Sequence, residues 1–210
     1  MIEDRPWDTE VTGYRCGTVV NLADLRHRAV WQHLVAFSDA DDWTRIRSLE
    51  AEGFRLVGCR VEYVRDGWRW TNEHVPLEGA IDEDYPAIEY HAERAFTGSR
   101  FHADLLLAPK AGEIHRRWIA SARKRGDVRV FRAGGADVVG YVVTSHRDDT
   151  TRVDLIGAIK RGAGQHMLNA IGCPVRAKTQ ASNRAACRMY ERAGFLLDGA
   201  DVVHTWSPGT

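Results

Sequence analysis

The chain has 210 residues, 44% of them hydrophobic and 28% charged, which is typical of a globular protein with one large domain or a domain and a smaller appendage. Its 29 basic and 29 acidic residues balance, so no net charge attracts nucleic acid or an acidic membrane surface. No apolar run reaches the length of a membrane span, and the first residues lack the basic-then-apolar order of a signal peptide. We therefore expect a cytoplasmic protein that binds neither nucleic acid nor a membrane.

Cysteine and histidine spacing argues against a metal site. The four cysteines are widely separated and form no C-x-x-C pair; they are Cys16, Cys59, Cys173 and Cys187. The nine histidines show no H-E-x-x-H or similar ligand spacing. We expect reduced thiols and no metal.

A change in composition near the first third of the chain predicts two units. An extended run ends at Asp66-Gly67, and the segment from there to Pro86 is acidic and lacks regular periodicity. We place a small N-terminal α/β lobe at residues 1–68 and the main domain at residues 80–207.

In the N-terminal lobe, β-branched residues after Gly17 predict a short strand at Thr18–Val20. Ser38, followed by three aspartates, predicts the start of a helix that ends at Gly53. This helix is expected to bury one face, formed by Trp43, Ile46 and Leu49. Phe54–Val64 then reads as a strand.

The main domain alternates helices and strands. A helix near Ile88–Phe96 and an irregular loop Thr97–Pro109 precede a second helix, Gly112–Arg125. The remaining predicted elements are a hairpin of Val128–Ala133 and Val138–Ser145 joined at Gly134-Gly135, a strand Val153–Ile159, a helix Gly162–Ile171, a strand Val175–Thr179, a helix Asn183–Ala193, and a strand or strand pair Leu196–Trp206.

The two units share a sequence pattern. Gly53-Phe54-x-Leu56-x-Gly58-x-x-Val61 matches Gly194-Phe195-x-Leu197-x-Gly199-x-x-Val202, and each copy follows a predicted helix. Helix-to-strand junctions resemble one another because a left-handed cap favours glycine. The alternative is that the N-terminal unit is a degenerate half-copy of the end of the main domain. One copy alone leaves both explanations open.

The segment from Asp154 to Phe195 contains the residues that point to chemistry. A predicted strand ends in Arg161-Gly162-Ala163-Gly164, which opens a helix and would aim backbone N–H groups at an anion such as a phosphate. Two features exclude the common nucleotide motifs. The third glycine of a Rossmann fingerprint is missing, and the Lys-Ser/Thr pair of a P-loop is absent.

A second motif follows about twenty residues later. It reads Asn183-x-x-Ala186-x-x-x-Tyr190-x-x-x-Gly194-Phe195. Taken separately, Asn183 would be an N-cap and Tyr190 a core residue of an amphipathic helix. The glycine turn followed by this helix resembles the acyl-CoA signature of the GNAT superfamily of N-acetyltransferases. Further segments, including Pro6-Trp7-Asp8-x-Glu10 and Ser99-Arg100-Phe101, resemble the branch of that superfamily that acetylates sugar nucleotides, such as the dTDP-fucosamine acetyltransferases.

The resemblance implies a mixed α/β GNAT fold with a small, truncated GNAT-like N-terminal lobe, and acetyl-CoA as the acyl donor. The strand end at Ala158-Ile159 would pair with the pantetheine arm, and Asn183 and Ala186 would lie along it. Tyr190 would protonate the departing thiolate. The pyrophosphate would be cradled by Lys160, Arg161, Gly162, Ala163, Gly164 and Gln165.

The resemblance does not settle two parts of the site, a contact to the cofactor and the general base. Ile159 stands where the family usually has Gln or Arg, so one cofactor contact is in doubt. Glu62 lies on one strand face with Gly58 and Arg60 and is a candidate general base, although a strand glutamate is more often simply solvated.

The expected acceptor is a small-molecule amine, for which a nucleotide-linked 4-amino-deoxysugar is the leading candidate. Arg100 would face its diphosphate and Phe101 would stack on its base. The alternatives are another small amine such as an antibiotic precursor, transfer of a different acyl group, or an acyl-CoA-binding sensory module without turnover. A homodimer is also allowed for.

Overall fold

The computed structural model describes residues 1–67 and 76–209, which form a single ten-stranded mixed sheet flanked by helices. The N-terminal boundary expected at residue 68 lies outside the described residues. The strands are β1 (Ile2–Asp4), β2 (Cys16–Val19), β3 (His33–Asp39), β4 (Arg55–Arg65), β5 (Glu78–Gly79), β6 (Val128–Arg132), β7 (Val138–Arg147), β8 (Thr150–Ala158), β9 (Val175–Gln180) and β10 (Leu196–Trp206). The α-helices are α1 (Pro6–Thr12), α2 (Trp43–Ala51), α3 (Tyr85–Ala95), α4 (Arg100–Ala103), α5 (Ala111–Arg125), α6 (Ala163–Ala170) and α7 (Arg184–Arg192).

The sheet joins both predicted units without a break. Its order is β1-β2-β3-β10-β4-β9-β8-β7-β6-β5, so β4 of the N-terminal lobe lies between β9 and β10 of the main domain. Strand β10 in turn lies between β3 and β4. Each unit therefore contributes its last strand to the other.

Helices cover both faces of the main part of the sheet. Val142 packs with residues of α6 and α7, whereas its neighbours Tyr141 and Val143 pack with residues of α3 and α5. Because successive side chains of a strand point to opposite faces, these two helix pairs lie on opposite sides of the sheet. We call them the α3/α5 face and the α6/α7 face.

The helix predicted from Ser38 begins later than expected. Ser38 is buried within β3, and α2 starts at Trp43 with Asp42 as its N-cap, whose carboxylate accepts a hydrogen bond from the Arg45 N–H at 3.0 Å. Ile46 and Leu49 are buried as expected, but Trp43 is 62% exposed. Of the aspartates that indicated a helix start, Asp39 ends β3, Asp41 lies in the turn after it, and Asp42 caps α2.

Several elements were not predicted from the pattern. They are β1, α1, β3, β5, the 3₁₀ helices Leu22–Val30 and Asp82–Asp84, and, within the expected loop 97–109, α4 and the start of the 3₁₀ helix Ala108–Lys110. Most are short or irregular, so their hydrophobic periodicity is weak, and β3 is buried on both faces, so it lacks the alternation of a half-buried strand. The end of the chain is one continuous strand, β10, rather than a pair.

The repeated motif corresponds to a pseudo-twofold arrangement of the two units. The motifs are 141 residues apart, and the same offset relates the N-caps of α2 and α7, Asp42 and Asn183, each of which accepts from the N–H three residues on. The strand order β2-β3-β10-β4-β9-β8 is also symmetric: the two outer pairs are parallel and the three inner pairs are antiparallel. The shared register supports the half-copy explanation over coincidental capping.

Candidate active site

A V-shaped opening splits the sheet between β8 and β9. These parallel strands pair only at Thr151–Val153 with Val175–Ala177, and beyond that point they diverge. Strand β8 continues along β7 as far as Ala158, while β9 continues along β4 as far as Gln180. The edge of β8 from Asp154 to Ala158 is therefore free on the β9 side, where an extended ligand can add like a strand.

The mouth of the V is the glycine turn between β8 and α6. Gly162 is the N-cap of α6, with φ of +91° and open space within 4 Å of where a Cβ would be. This left-handed conformation favours glycine. Lys160 and Arg161 are exposed beside it, so two cations and the N-terminus of α6 face solvent together.

Other residues of the predicted cradle have structural partners. The N–H groups of Ile159 and Lys160 both donate to the Val139 carbonyl, at 3.0 and 2.9 Å. Ile159 also packs against the core of the α3/α5 face, so an apolar residue suits this position. Gly164 is buried, and a Cβ there would collide with the sulfur of Met189. Gly164 therefore allows α6 and α7 to pack closely, whereas Gly162 leaves its backbone open.

Asn183 caps α7 at the other side of the opening. Its side-chain oxygen accepts from the Ala186 N–H at 3.1 Å, so the capping role is confirmed. Asn183 is exposed, and the cap uses only its side-chain oxygen, which leaves the side-chain NH₂ group for a ligand. Asn183 and Ala186 both line a large cavity in the opening.

Tyr190 lies at the closed end of the V. It is 2% exposed and packs with Val153 and Ala177, the last residues that join β8 to β9. Its ring stacks on Tyr63 at 5.3 Å between centroids and meets Phe195 edge-on. Burial raises its pKa, so the phenol stays protonated at neutral pH and can donate a proton.

A cavity of about 710 Å³ connects these features with the α3/α5 face. Glu62, Arg100 and Tyr190 all line it, together with the free edges of β8 and β9. Glu62 is held by three cations: Lys178 at 3.2 Å, Arg176 at 3.5 Å and Arg152 at 3.8 Å. Any amine that used Glu62 as a base would compete with these ion pairs.

Comparison with known proteins identifies the architecture. No family model matches the chain. A solved structure of a GCN5-related N-acetyltransferase from Sphaerobacter thermophilus superposes with a TM-score of 0.56 at 18% identity, covering 85% of this chain and 61% of that one. The chain has the GNAT fold. A conserved protein of unknown function from Staphylococcus epidermidis matches with a TM-score of 0.61 at 17% identity, over 91% of this chain and 83% of that one.

A curated relative is similar in sequence over part of its length. The spore coat polysaccharide biosynthesis protein SpsD of Bacillus subtilis is 34% identical over 142 residues, which cover 60% of this chain. The chain spans about half of that relative, 48% of its length.

Arg100 is one of the cations that line the same cavity. It begins α4 and lines the cavity, and within residues 1–67 and 76–209 no hydrogen bond or ion pair holds its guanidinium; it lies over the ring of Phe101 at 4.3 Å. Burial, followed by repulsion from Arg5 and Arg60, lowers its pKa to about 10. An anion in the cavity would relieve this repulsion.

Phe101 is placed less favourably for stacking on a base. It is 5% exposed and packs in a core cluster with Leu107 and Ile114, while Arg100 covers its ring and His115 meets it at a 78° interplanar angle. The Phe101 ring therefore packs against the Arg100 guanidinium and does not present a free face to a ligand.

Asp154 lines the same cavity, although no sequence motif marks it. It follows Val153, the last residue of β8 that pairs with β9, and sits at a β-bulge between β7 and β8. Burial raises the pKa of its carboxyl group, although a hydrogen bond from Ser145 opposes the shift. A lone aspartate in a strand gives no motif that sequence analysis could recognise.

Two other kinds of site are absent from the part of the chain that the structure describes. Across these residues, no three His, Cys, Asp or Glu side chains are grouped so that they could hold a metal ion. The helices of the same residues are all too short or too polar to cross a membrane.

Proposed function

We propose that the protein is an N-acetyltransferase that moves an acetyl group from acetyl-CoA to the amine of a small molecule. The observation that carries this proposal is the divergence of β8 from β9 after Val153, with the Gly162 turn at the open end and Tyr190 at the closed end. Between them lies the free β8 edge from Asp154 to Ala158, along which an extended pantetheine arm can pair. Acetyl-CoA would supply the activated thioester.

The residues at the mouth fit the donor. The open backbone at Gly162, the exposed Lys160 and Arg161, and the N-terminus of α6 form a site for the pyrophosphate. The free edge of β8 up to Ala158 can hydrogen-bond the pantetheine amides, and the NH₂ group of Asn183 can donate to a pantetheine carbonyl. Ile159 contributes packing only, and the remaining contacts replace the polar anchor that is usual at this position.

We propose Tyr190 as the general acid. Burial raises its pKa, so the phenol carries its proton at neutral pH, and the departing thiolate at the closed end of the V would take that proton as the C–S bond breaks. The rings of Tyr63 and Phe195 fix its orientation, so little reorganisation is needed.

For the acceptor, we propose a nucleotide-linked 4-amino-deoxysugar. Arg100 lines the cavity, and no hydrogen bond or ion pair holds its guanidinium among the described residues, so it suits a diphosphate. The relative SpsD is named for spore coat polysaccharide biosynthesis, and a sugar acceptor is consistent with that name. Another small amine or another acyl group would use the same donor site.

The test is thiol release from acetyl-CoA with a panel of amines: dTDP-4-amino-deoxysugars, UDP-amino sugars, free amino sugars and aminoglycosides. We expect the fastest release with a nucleotide-linked amine. Tyr190→Phe should lower kcat about 10²-fold while the Kd for acetyl-CoA stays within about twofold. Tyr90→Phe, on the exposed side of α3, is the matched control and should change neither value.

Three outcomes would contradict parts of the proposal. If thiol is released only with amines that carry no phosphate, the acceptor is not a sugar nucleotide, but the transferase function stands. Acetyl-CoA binding without release for any amine would favour the sensory module. An unchanged kcat in Tyr190→Phe would remove Tyr190 from the mechanism.

A further inference from the structure

The reaction needs a group that takes a proton from the attacking amine, and Glu62 is poorly suited to that role. An alkyl amine near pH 7 is mostly protonated, and its ammonium form cannot attack a carbonyl. Both oxygens of Glu62 already face cations, Lys178 on one side and Arg152 and Arg176 on the other. These three cations oppose the approach of an ammonium ion to Glu62, although Arg176 also pairs with Asp198 at 2.7 Å and Lys178 with Asp201 at 2.9 Å.

Asp154 lies at the point where the acceptor must approach. Tyr190 packs on Val153 from the α6/α7 face, so the leaving sulfur is expected on that side of the closed end of the V. Asp154 is the next residue along β8. Its charged neighbours, Arg125 and Asp127, come from the end of α5 and the residue just before β6, which places it toward the α3/α5 face.

The bulge explains why a carboxylate can be placed there. Val143 pairs with Leu155 and Thr144 pairs with Val153, so Asp154 is an extra residue in β8 without a partner in β7. A bulge bends its strand and redirects the side chain at that position. The same kink begins the divergence from β9, so one irregularity both opens the donor site and presents the carboxylate.

We propose that Asp154 is the general base of the transfer, an inference that rests on the proposed acetyltransferase function. The Asp154 carboxylate takes a proton from the acceptor ammonium, and the freed lone pair attacks the thioester carbonyl carbon, forming the C–N bond. As the C–S bond breaks, the thiolate takes the proton of Tyr190. The resulting phenolate removes the second proton from the nitrogen, which leaves the amide, the CoA thiol and a proton that Asp154 releases to water.

The surroundings of Asp154 suit this role. Burial makes it a stronger base than a solvated aspartate by raising its pKa, and the nearby Asp127 acts in the same direction. The Ser145 hydroxyl and the cations Arg125 and Arg152 act against this shift, because each favours the charged form of the carboxyl group. Asp154 and Tyr190 thus place a proton acceptor and a proton donor in one cavity, at the end of the free β8 edge where the pairing with β9 stops.

The experiment compares pH profiles of kcat/KM for the wild type, Asp154→Asn and Glu62→Gln, with the exposed Asp149→Asn as control. Asp154→Asn should lower kcat about 10²- to 10³-fold and remove the acid limb of the profile, while the Kd for acetyl-CoA stays within about twofold. Asp154→Gly with added formate should recover part of the lost rate, because formate can occupy the space of the carboxylate. Glu62→Gln and Asp149→Asn should keep the acid limb.

The results separate this inference from the function on which it rests. Retention of the acid limb and of kcat in Asp154→Asn, with an active wild type, would overturn Asp154 alone. Loss of the limb in Glu62→Gln instead would transfer the role to Glu62. If the wild type binds acetyl-CoA but releases no thiol with any amine, the transferase function fails and the base fails with it.

Discussion

Arg60 and Asp201 occupy equivalent positions of the two units and pair directly with each other. They lie opposite one another in β4 and β10, and the offset of 141 residues that relates the motifs also separates these two residues. The pseudo-twofold axis therefore passes through this pair. The contact is bidentate, with Arg60 Nε 2.6 Å from Oδ1 of Asp201 and Nη2 2.9 Å from Oδ2. Burial alone would raise the pKa of Asp201, but hydrogen bonds from Arg60 and Lys178 outweigh it and lower the pKa.

This symmetry predicts the outcome of a charge exchange. Arg60→Asp alone would place the new carboxylate beside that of Asp201. Asp201→Arg alone would bring three cations together, namely the new arginine, Arg60 and Lys178. Each should lower the free energy of unfolding by about 3 kcal/mol. The double variant puts the same ion pair back across the axis and should recover more than half of that loss in urea denaturation.

Recovery should be incomplete because the flanking positions differ. Phe37, which lies under the Arg60 guanidinium at 4.3 Å, is the counterpart of Lys178. In the double variant, the guanidinium introduced at position 201 would therefore face a lysine instead of an aromatic ring. A double variant as unstable as the sum of the two single variants would show that the two positions are not geometrically equivalent.

The sequence predicted this relationship only in part. The repeated Gly-Phe-x-Leu-x-Gly pattern indicated two similar helix-to-strand junctions, because an αL cap and the first buried residue of a strand are local features. The exchange of β4 and β10 between units was not predicted. Strand pairing depends on contacts between residues far apart in the chain, such as Arg60 with Gln180, which no local pattern encodes.

A buried arginine fixes the two helices that carry the donor site. Arg65 is 7% exposed and donates to the carbonyl groups of Leu168, Ile171 and Ala193, near the C-terminal ends of α6 and α7. The Leu168 carbonyl also accepts a long bond from the Ile171 N–H at 3.4 Å, whereas no further helical turn reaches the carbonyls of Ile171 and Ala193. The Arg65 guanidinium also lies over the ring of Phe195 at 4.7 Å.

We expect Arg65→Met to lower the free energy of unfolding by about 3 to 5 kcal/mol, since it leaves buried carbonyls without donors. Arg65→Lys should recover little, because an ammonium cannot match the planar fork that reaches three acceptors. Arg55→Met, at the exposed start of the same strand, is the control and should cost less than about 1 kcal/mol. Equal losses for Arg65→Met and Arg55→Met would contradict this role, as measured by thermal and urea unfolding.

The site was predictable where a motif fixes the local backbone and not elsewhere. The glycine turn and the capping Asn183 are recognisable in the sequence because each has a local geometric requirement, whereas the left-handed φ of Gly162 is known only from the structure. The surroundings of Phe101 and Asp154 depend on tertiary packing: Phe101 becomes buried under Arg100, and Asp154 is set by a bulge whose partner strand is β7. Neither environment can be recognised from the spacing of residues in the sequence.

His115 should make the fold sensitive to acid. It is 2% exposed, its neutral ring donates from Nδ1 to the Ala111 carbonyl at 2.8 Å, and burial lowers its pKa to about 4. An unfolded chain binds this proton near pH 6.5 but the folded chain does not until about pH 4, so stability falls as the pH drops through that window. The loss should be on the order of 3 kcal/mol.

The contribution of His115 can be isolated by difference. We expect His115→Gln to be less stable than the wild type at pH 7 and to lose less stability between about pH 6.5 and pH 4, whereas the exposed His146→Gln should follow the wild-type curve. His33 acts in the opposite direction: burial lowers its pKa, but the buried partner Asp104 outweighs this and raises it. Since His33 is present in every variant, it cancels in the comparison, and parallel curves for His115→Gln and the wild type would contradict the assignment.

The two glycines of the α6 turn should have separable effects. Gly162 needs its left-handed φ and has open space around it, so Gly162→Ala should mainly distort the turn and weaken acetyl-CoA binding about tenfold in titration calorimetry, with a small loss of stability. Gly164 has an ordinary φ but no room beside the Met189 sulfur, so Gly164→Ala should lower the free energy of unfolding by about 1 to 3 kcal/mol. Adding Met189→Ala should restore part of that stability by removing the clash, but it should do nothing for the affinity of Gly162→Ala. If Gly162→Ala bound acetyl-CoA as tightly as the wild type, the pyrophosphate would have to bind elsewhere than at this turn.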